Sequence, residues 1–165
     1  MNHFFSLHRT KFSAILIALS LSIFLASCKT ESDPKDFLPL GKWQDSFGSI
    51  YEISQTEFSN YSETYDSYAG NNLVISKSTD NSGYIYIQYT KAYCKQHSNY
   101  DNDAPDIGKW YAISFKELTN SSIQISGAYK DGGETSTETL EKAMAEFKIE
   151  NGYFSTYSEC LKISD

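Results

Sequence analysis

Thr79-Asp-Asn-Ser-Gly83-Tyr84-Ile-Tyr-Ile-Gln-Tyr89-Thr-Lys-Ala-Tyr93 decides the fold. Its first five residues form a turn, because Asn and Gly accept positive φ. The next ten alternate with a period of two: Tyr84, Tyr86 and Gln88 share one face, and Ile85, Ile87 and Tyr89 share the other. Such alternation is a strand signal, and the turn ties this strand to an upstream one at Asn72–Lys77. Working outward, the pattern recurs with turn residues at roughly eight- to twelve-residue intervals, the spacing of an antiparallel sheet curled into a barrel or sandwich. Further strands are expected over Lys42–Asp45, Ser49–Ser54, Glu57–Tyr61, Lys109–Phe115 and Ser122–Tyr129.

One helix breaks the pattern. Thr135-Ser-Thr-Glu138 can act as a capping box, and Leu140, Ala143, Met144 and Phe147 follow at the spacing of one helical face. The helix is expected to run to about Glu146. Asn151-Gly152 then reads either as its cap or as a hairpin turn between Phe147–Ile149 and Tyr153–Ser155.

The chain's 165 residues carry 14 Lys and Arg against 21 Asp and Glu. Met1–Lys11 holds Arg9 and Lys11 and no acid, and Phe12–Ser27 is uncharged, the layout of an export signal. Without residues 1–27 twelve basic side chains face 21 acidic ones, which argues against binding to a phosphate backbone and against nucleic acid as a partner. The apolar run ends in Leu25-Ala26-Ser27-Cys28, which resembles the lipobox of bacterial lipoproteins. That resemblance implies cleavage before Cys28, a diacylglyceryl group on its sulfur and acylation of the new amino terminus, hence membrane anchorage through lipid. Lys29-Thr-Glu-Ser-Asp-Pro-Lys-Asp36 is too polar to pack and reads as a tether. Three segments are expected: a signal peptide (1–27), a lipidated Cys and tether (28–37), and a β-barrel domain (38–165). The compartment implied is the bacterial cell envelope, with the outer membrane favoured because Lys29 is not the Asp that retains lipoproteins at the inner membrane in some bacteria.

Cys94 and Cys160 remain, an even pair in an exported chain. Either they are bridged, closing a loop of about 65 residues worth roughly 4 kcal/mol of stability, or they are two buried thiols. All 13 Tyr and both Trp follow Cys28. Tyr84 and Tyr86 on one strand and Trp110 on another are candidates to line a cavity for a small amphiphile; the alternative is a filled core with Tyr serving as a β-former. A second group, Tyr61, Tyr65, Tyr68 and Tyr100, lies among small polar residues and suits either a protein or glycan contact surface or solvated loops with incidental packing.

At Gly41-Lys42-Trp43 the pattern resembles the lipocalins: an early Gly-x-Trp on the first strand, short antiparallel strands, a helix after the last long strand, and a Cys pair tying the chain end to mid-barrel. The resemblance implies an antiparallel seven- or eight-stranded barrel with one helix on its C-terminal side. It implies that Gly41 starts the first strand and that Trp43 plugs one barrel end beside a ligand, that Cys94 pairs with Cys160, and that the cargo is a small hydrophobic molecule. The second lipocalin motif, of the Thr-Asp-Tyr type, is missing.

Catalytic constellations are scarce. Past residue 28 the single imidazole is His97, so a His-based metal cluster cannot be built, and neither a metal nor another cofactor is expected. His97 follows Cys94 by three residues, yet spacing supplies no third group to orient the pair. Asp101-Asn-Asp103-Ala-Pro-Asp106 departs from a Ca²⁺ loop at Pro105 and Ala112 and reads as a solvated acidic loop. No catalytic residue is assigned. The function expected is a non-catalytic, membrane-anchored binding module for a small hydrophobic or amphiphilic ligand. The alternative is a surface-exposed structural or host-interaction lipoprotein with a packed barrel, which would meet a protein partner through its Tyr-rich loops.

Overall fold

The computed structural model describes residues 38–164; the expected signal peptide, Cys28 and tether lie outside the described residues. The strands are β1 (Gly41–Asp45), β2 (Ile50–Ile53), β3 (Phe58–Tyr61), β4 (Asp66–Thr79), β5 (Ser82–Cys94), β6 (Asn99–Asp101), β7 (Trp110–Lys116), β8 (Ser122–Gly127) and β9 (Ser158–Ser164), with one helix, α1 (Leu140–Glu146). The hydrogen-bonded order β4-β3-β2-β1-β9-β8-β7-β5 closes on itself because β4 also pairs with β5. Eight strands therefore form a closed antiparallel barrel in which sequence neighbours are spatial neighbours. β6 pairs with β5 beyond the ring.

Closure rests on β1 and β9, where Gln44 faces Leu161 and Asp45 faces Cys160. Gly41 opens β1 at φ +118°, and a Cβ there would lie 2.7 Å from both Lys162 Cε and the Ser164 carbonyl. Only glycine fits that conformation and that approach. Two residues on, Trp43 is buried, and its Nε1 donates to the Pro39 carbonyl at 2.9 Å. Alternation then places Ile53, Phe58, Ile85, Ile87, Ile113, Phe115, Ile123 and Ile125 in the same buried core. The barrel interior is thus filled by side chains, as small barrels commonly are.

The opposite face of β5 and β7 is buried too. Residues 128–157 run over it: Ala143 and Phe147 are fully buried, Phe154 packs on Tyr84 with ring centroids 5.6 Å apart, and Ser114 Oγ meets the Tyr157 hydroxyl at 2.9 Å. Burial on both faces accounts for the apolar character of both faces of Tyr84–Tyr89. Backbone bonds between Trp110 and Thr137, at 2.7 and 2.9 Å, hold the covering segment extended at its start.

That tie moves the helix start. Thr139, not Thr135, is the N-cap, its hydroxyl accepting from the Lys142 amide, and Asn151 Nδ2 closes the other end on the Ala145 and Glu146 carbonyls at 3.0 and 2.7 Å. A 3₁₀ turn at Ile149–Asn151 ends on Gly152 at φ +88°, in place of a hairpin. The helix follows β8, the last strand expected from the sequence, and β9 comes after it to close the barrel. Strand β9 escapes the sequence pattern because its apolar residues point outward, Leu161 and Ile163 being 67% and 50% exposed.

Candidate functional site

Strand β5 outruns its partner. Its pairing with β7 ends at Gln88 and Trp110, while β5 continues six residues further, held by Ala69 of β4 opposite Lys91 and by β6 opposite Ala92–Cys94. The overhang forms one wall of a cleft of about 920 Å³, and residues 128–135 form another. Asp106 fixes that second wall, accepting from Thr135 Oγ1 at 2.9 Å and Ser136 Oγ at 2.8 Å while Lys109 approaches at 3.5 Å.

Six tyrosines line the cleft: Tyr68, Tyr89, Tyr93, Tyr100, Tyr111 and Tyr129. Three belong to the buried end. Tyr89 and Tyr111 stack at 4.8 Å between centroids, and Tyr68 meets them edge-on at 6.5 and 5.4 Å. Burial raises the pKa of all three phenols well above the ordinary Tyr value, so they are neutral donors and acceptors at physiological pH. The Tyr111 hydroxyl donates to the Ala128 carbonyl at 3.1 Å. At Gly127 a Cβ would stand 2.6 Å from that hydroxyl, so glycine is what allows β8 to pass so close.

The other three mark the rim, where Tyr93 and Tyr129 are 47% and 71% exposed and Tyr100 packs on Tyr93 and Tyr65. Lys95, Gln96, Lys130 and Asp131 interleave with them. The arrangement offers an apolar aromatic floor and a polar rim of both charge signs, which suits an amphiphile with a flat apolar portion. A second hollow, about 600 Å³ over the outer side of β1, β8 and β9, has no aromatic lining and carries Asp45, Glu117 and Glu159.

None of the four residues expected to line a cavity lies here. Trp43 is core, whereas Tyr84 and Tyr86 lie beneath the covering segment and Trp110 is paired to Thr137. Instead the second group of tyrosines contributes: Tyr68 of β4 to the floor and Tyr100 of β6 to the rim, with Tyr65 behind it, while Tyr61 of β3 turns away to bond Glu52. Sequence alone does not single out Tyr89, Tyr93, Tyr111 or Tyr129 as cleft residues. The one signal available is at Tyr89, an aromatic that ends a face otherwise occupied by Ile85 and Ile87.

The expected Cys94–Cys160 bridge is not formed. Both are buried free thiols: Cys94 lies in the overhang opposite Asn99 and donates to Gln96 Oε1 at 3.1 Å, and Cys160 lies at the barrel closure and donates to the Ser158 carbonyl at 3.5 Å. Register explains this, since Cys160 pairs with Ile123 past the Gly83 end of β5 whereas Cys94 ends that 13-residue strand. Burial pushes the Cys160 thiol up to about 12.

The acidic loop is bonded rather than merely solvated. Asp101 Oδ2 meets His97 Nδ1 at 2.6 Å and its Oδ1 accepts from the Asp103 amide at 3.0 Å, so Asp101 supplies the orienting group that spacing did not reveal. His97 holds that carboxyl below its usual range.

No family model matches the chain, and neither does any curated protein or solved structure. The fold and cleft define a class: a small up-and-down β-barrel with a packed interior and an aromatic mouth.

Proposed function

We propose that the protein is a non-catalytic binding module that takes a small amphiphilic ligand in the tyrosine cleft, and that lipid on Cys28 anchors it in the bacterial cell envelope, with the outer membrane favoured. The observation that carries the reading is the set of six tyrosines converging on one open cleft at the end of a filled barrel. The ligand's apolar part would lie on Tyr68, Tyr89 and Tyr111, and its polar end would meet Lys95, Gln96 or Lys130. A catalytic role for Cys94 is disfavoured because its thiol is 1% exposed and engaged with Gln96.

Native mass spectrometry of the full chain released from detergent micelles tests this. A reproducible small-molecule adduct, reduced in Tyr100→Ser and Tyr129→Ser, is the expected result. A bare protein, together with no perturbation of Tyr fluorescence by a panel of amphiphiles, overturns it. Exposure of Tyr93 and Tyr129 supports a second reading, in which the rim meets a protein partner.

A further inference from the structure

The β5–β6 hairpin brings together three donors of different chemistry: Cys94 Sγ, a ring nitrogen of His97 and a carboxylate oxygen of Asp101 all lie within 4.8 Å of one another. The backbone makes the meeting. β5 ends at Cys94, the turn passes through Ser98 at φ +51°, and β6 returns antiparallel with Asn99 opposite Cys94 and Asp101 opposite Ala92. Cys94 comes from the buried side and His97, whose side chain is 63% exposed, closes from solvent.

We propose that Cys94, His97 and Asp101 form a three-ligand site for a borderline divalent transition-metal ion, Zn²⁺ in the first instance. Thiolate, imidazole and carboxylate are the donors that Zn²⁺ accepts, and hard cations such as Ca²⁺ or Mg²⁺ are poorly served by a set that includes sulfur. The His97–Asp101 contact of 2.6 Å needs to open by under an ångström to reach the roughly 3.4 Å edge of a tetrahedral shell. Two neighbouring groups already hold the donors: the Asp103 amide fixes the far oxygen of Asp101, and Gln96 Oε1 accepts from Cys94 Sγ at 3.1 Å. On binding, the Cys94 thiol loses its proton to solvent and the sulfur–metal bond forms.

The consequence is local. β6 is held by three residue pairs, a marginal hairpin on its own, and the ion would tie its two arms together. Tyr93, Lys95, Gln96 and Tyr100 of that hairpin line the cleft. A bound ion would therefore set one wall of the cleft, whatever ligand the cleft takes.

The test uses the full folded chain, stripped of metal with a chelator, and Co²⁺ as a spectroscopic stand-in for Zn²⁺. The expected result is one Co²⁺ per chain with a thiolate-to-metal charge-transfer band, displaced by Zn²⁺. Cys94→Ser removes the band, whereas Cys160→Ser and Cys28→Ser leave it. The exposed substitution His97→Gln and the substitution Asp101→Asn each weaken Zn²⁺ binding by about tenfold or more, with the circular dichroism of the barrel unchanged, as loss of one ligand from a small shell requires. No charge-transfer band in the parent chain overturns the proposal, as does a band that depends on Cys160 or Cys28 or an affinity indifferent to His97 and Asp101.

Discussion

Tyr89 and Tyr111 stack with centroids 4.8 Å apart and planes 24° from parallel, although 22 positions separate them in sequence. Register produces the pair: Ile87 faces Tyr111 across β5 and β7, and Tyr89 follows Ile87 on the same side of its strand. The stacked pair ends the filled barrel and begins the cleft.

High pH should unfold the protein through these rings. Burial raises the folded-state pKa of Tyr68, Tyr89 and Tyr111 above the ordinary value of 10.0 that the unfolded chain would show. Their contribution is complete below pH 10 and is lost as pH rises through the folded values, because only the unfolded state then releases protons. Spectrophotometric titration of tyrosinate should show a late cooperative step that coincides with loss of β circular dichroism. A single gradual titration with the fold intact would contradict this.

Trp43→Ala should cost about 3–5 kcal/mol, as truncation of a large core side chain does. The ring is 1% exposed and its Nε1 bond to Pro39 ties the chain before β1 to the core. Urea denaturation measures the loss, and a change under 1 kcal/mol would place Trp43 outside the core.

Gly70→Ala tests the approach of β4 to β5. An added methyl would lie 2.5 Å from the Gln88 carbonyl and 2.8 Å from Ile87 Cδ1. The backbone must yield, at roughly 1–3 kcal/mol. A melting temperature equal to the parent's would show that the strands part freely there.

Asp106→Ala should loosen one cleft wall while sparing the barrel. It removes the acceptor for Thr135 and Ser136 and the charge beside Lys109, worth roughly 1–3 kcal/mol locally. Amide exchange should accelerate over residues 130–138 and remain slow in β5 and β7. Uniform acceleration would instead make Asp106 a global support.

Both Cys94 and Cys160 should resist alkylation in the native protein and react together once it unfolds, without reductant, since each is a buried free thiol. Recovery of a linked Cys94–Cys160 peptide under non-reducing conditions would refute the arrangement.

What the sequence determined by itself is local. Alternation over Tyr84–Tyr93, the turn at Thr79–Gly83 and the glycine before Trp43 point to antiparallel strands, and they reappear as β5, the β4–β5 hairpin and the start of β1. The existence of the helix through Ala143 is legible from its 3.6-residue period, but its start at Thr139 is set by the tie between Trp110 and Thr137, and Gly152 ends the 3₁₀ turn that follows it. Tertiary structure decided the rest. Strand β9 presents Leu161 and Ile163 to solvent, so no hydrophobic face announces it, and it exists because it joins β1 to β8. The cleft exists because β5 is longer than β7, a difference of register that no single strand encodes. Likewise Trp43, Tyr84, Tyr86 and Trp110 read as cavity residues by type, yet whether an aromatic fills a core or lines a cleft depends on what crosses in front of it. For Tyr84 and Tyr86 that is the segment through Phe154, which meets them only after the chain has returned from β8.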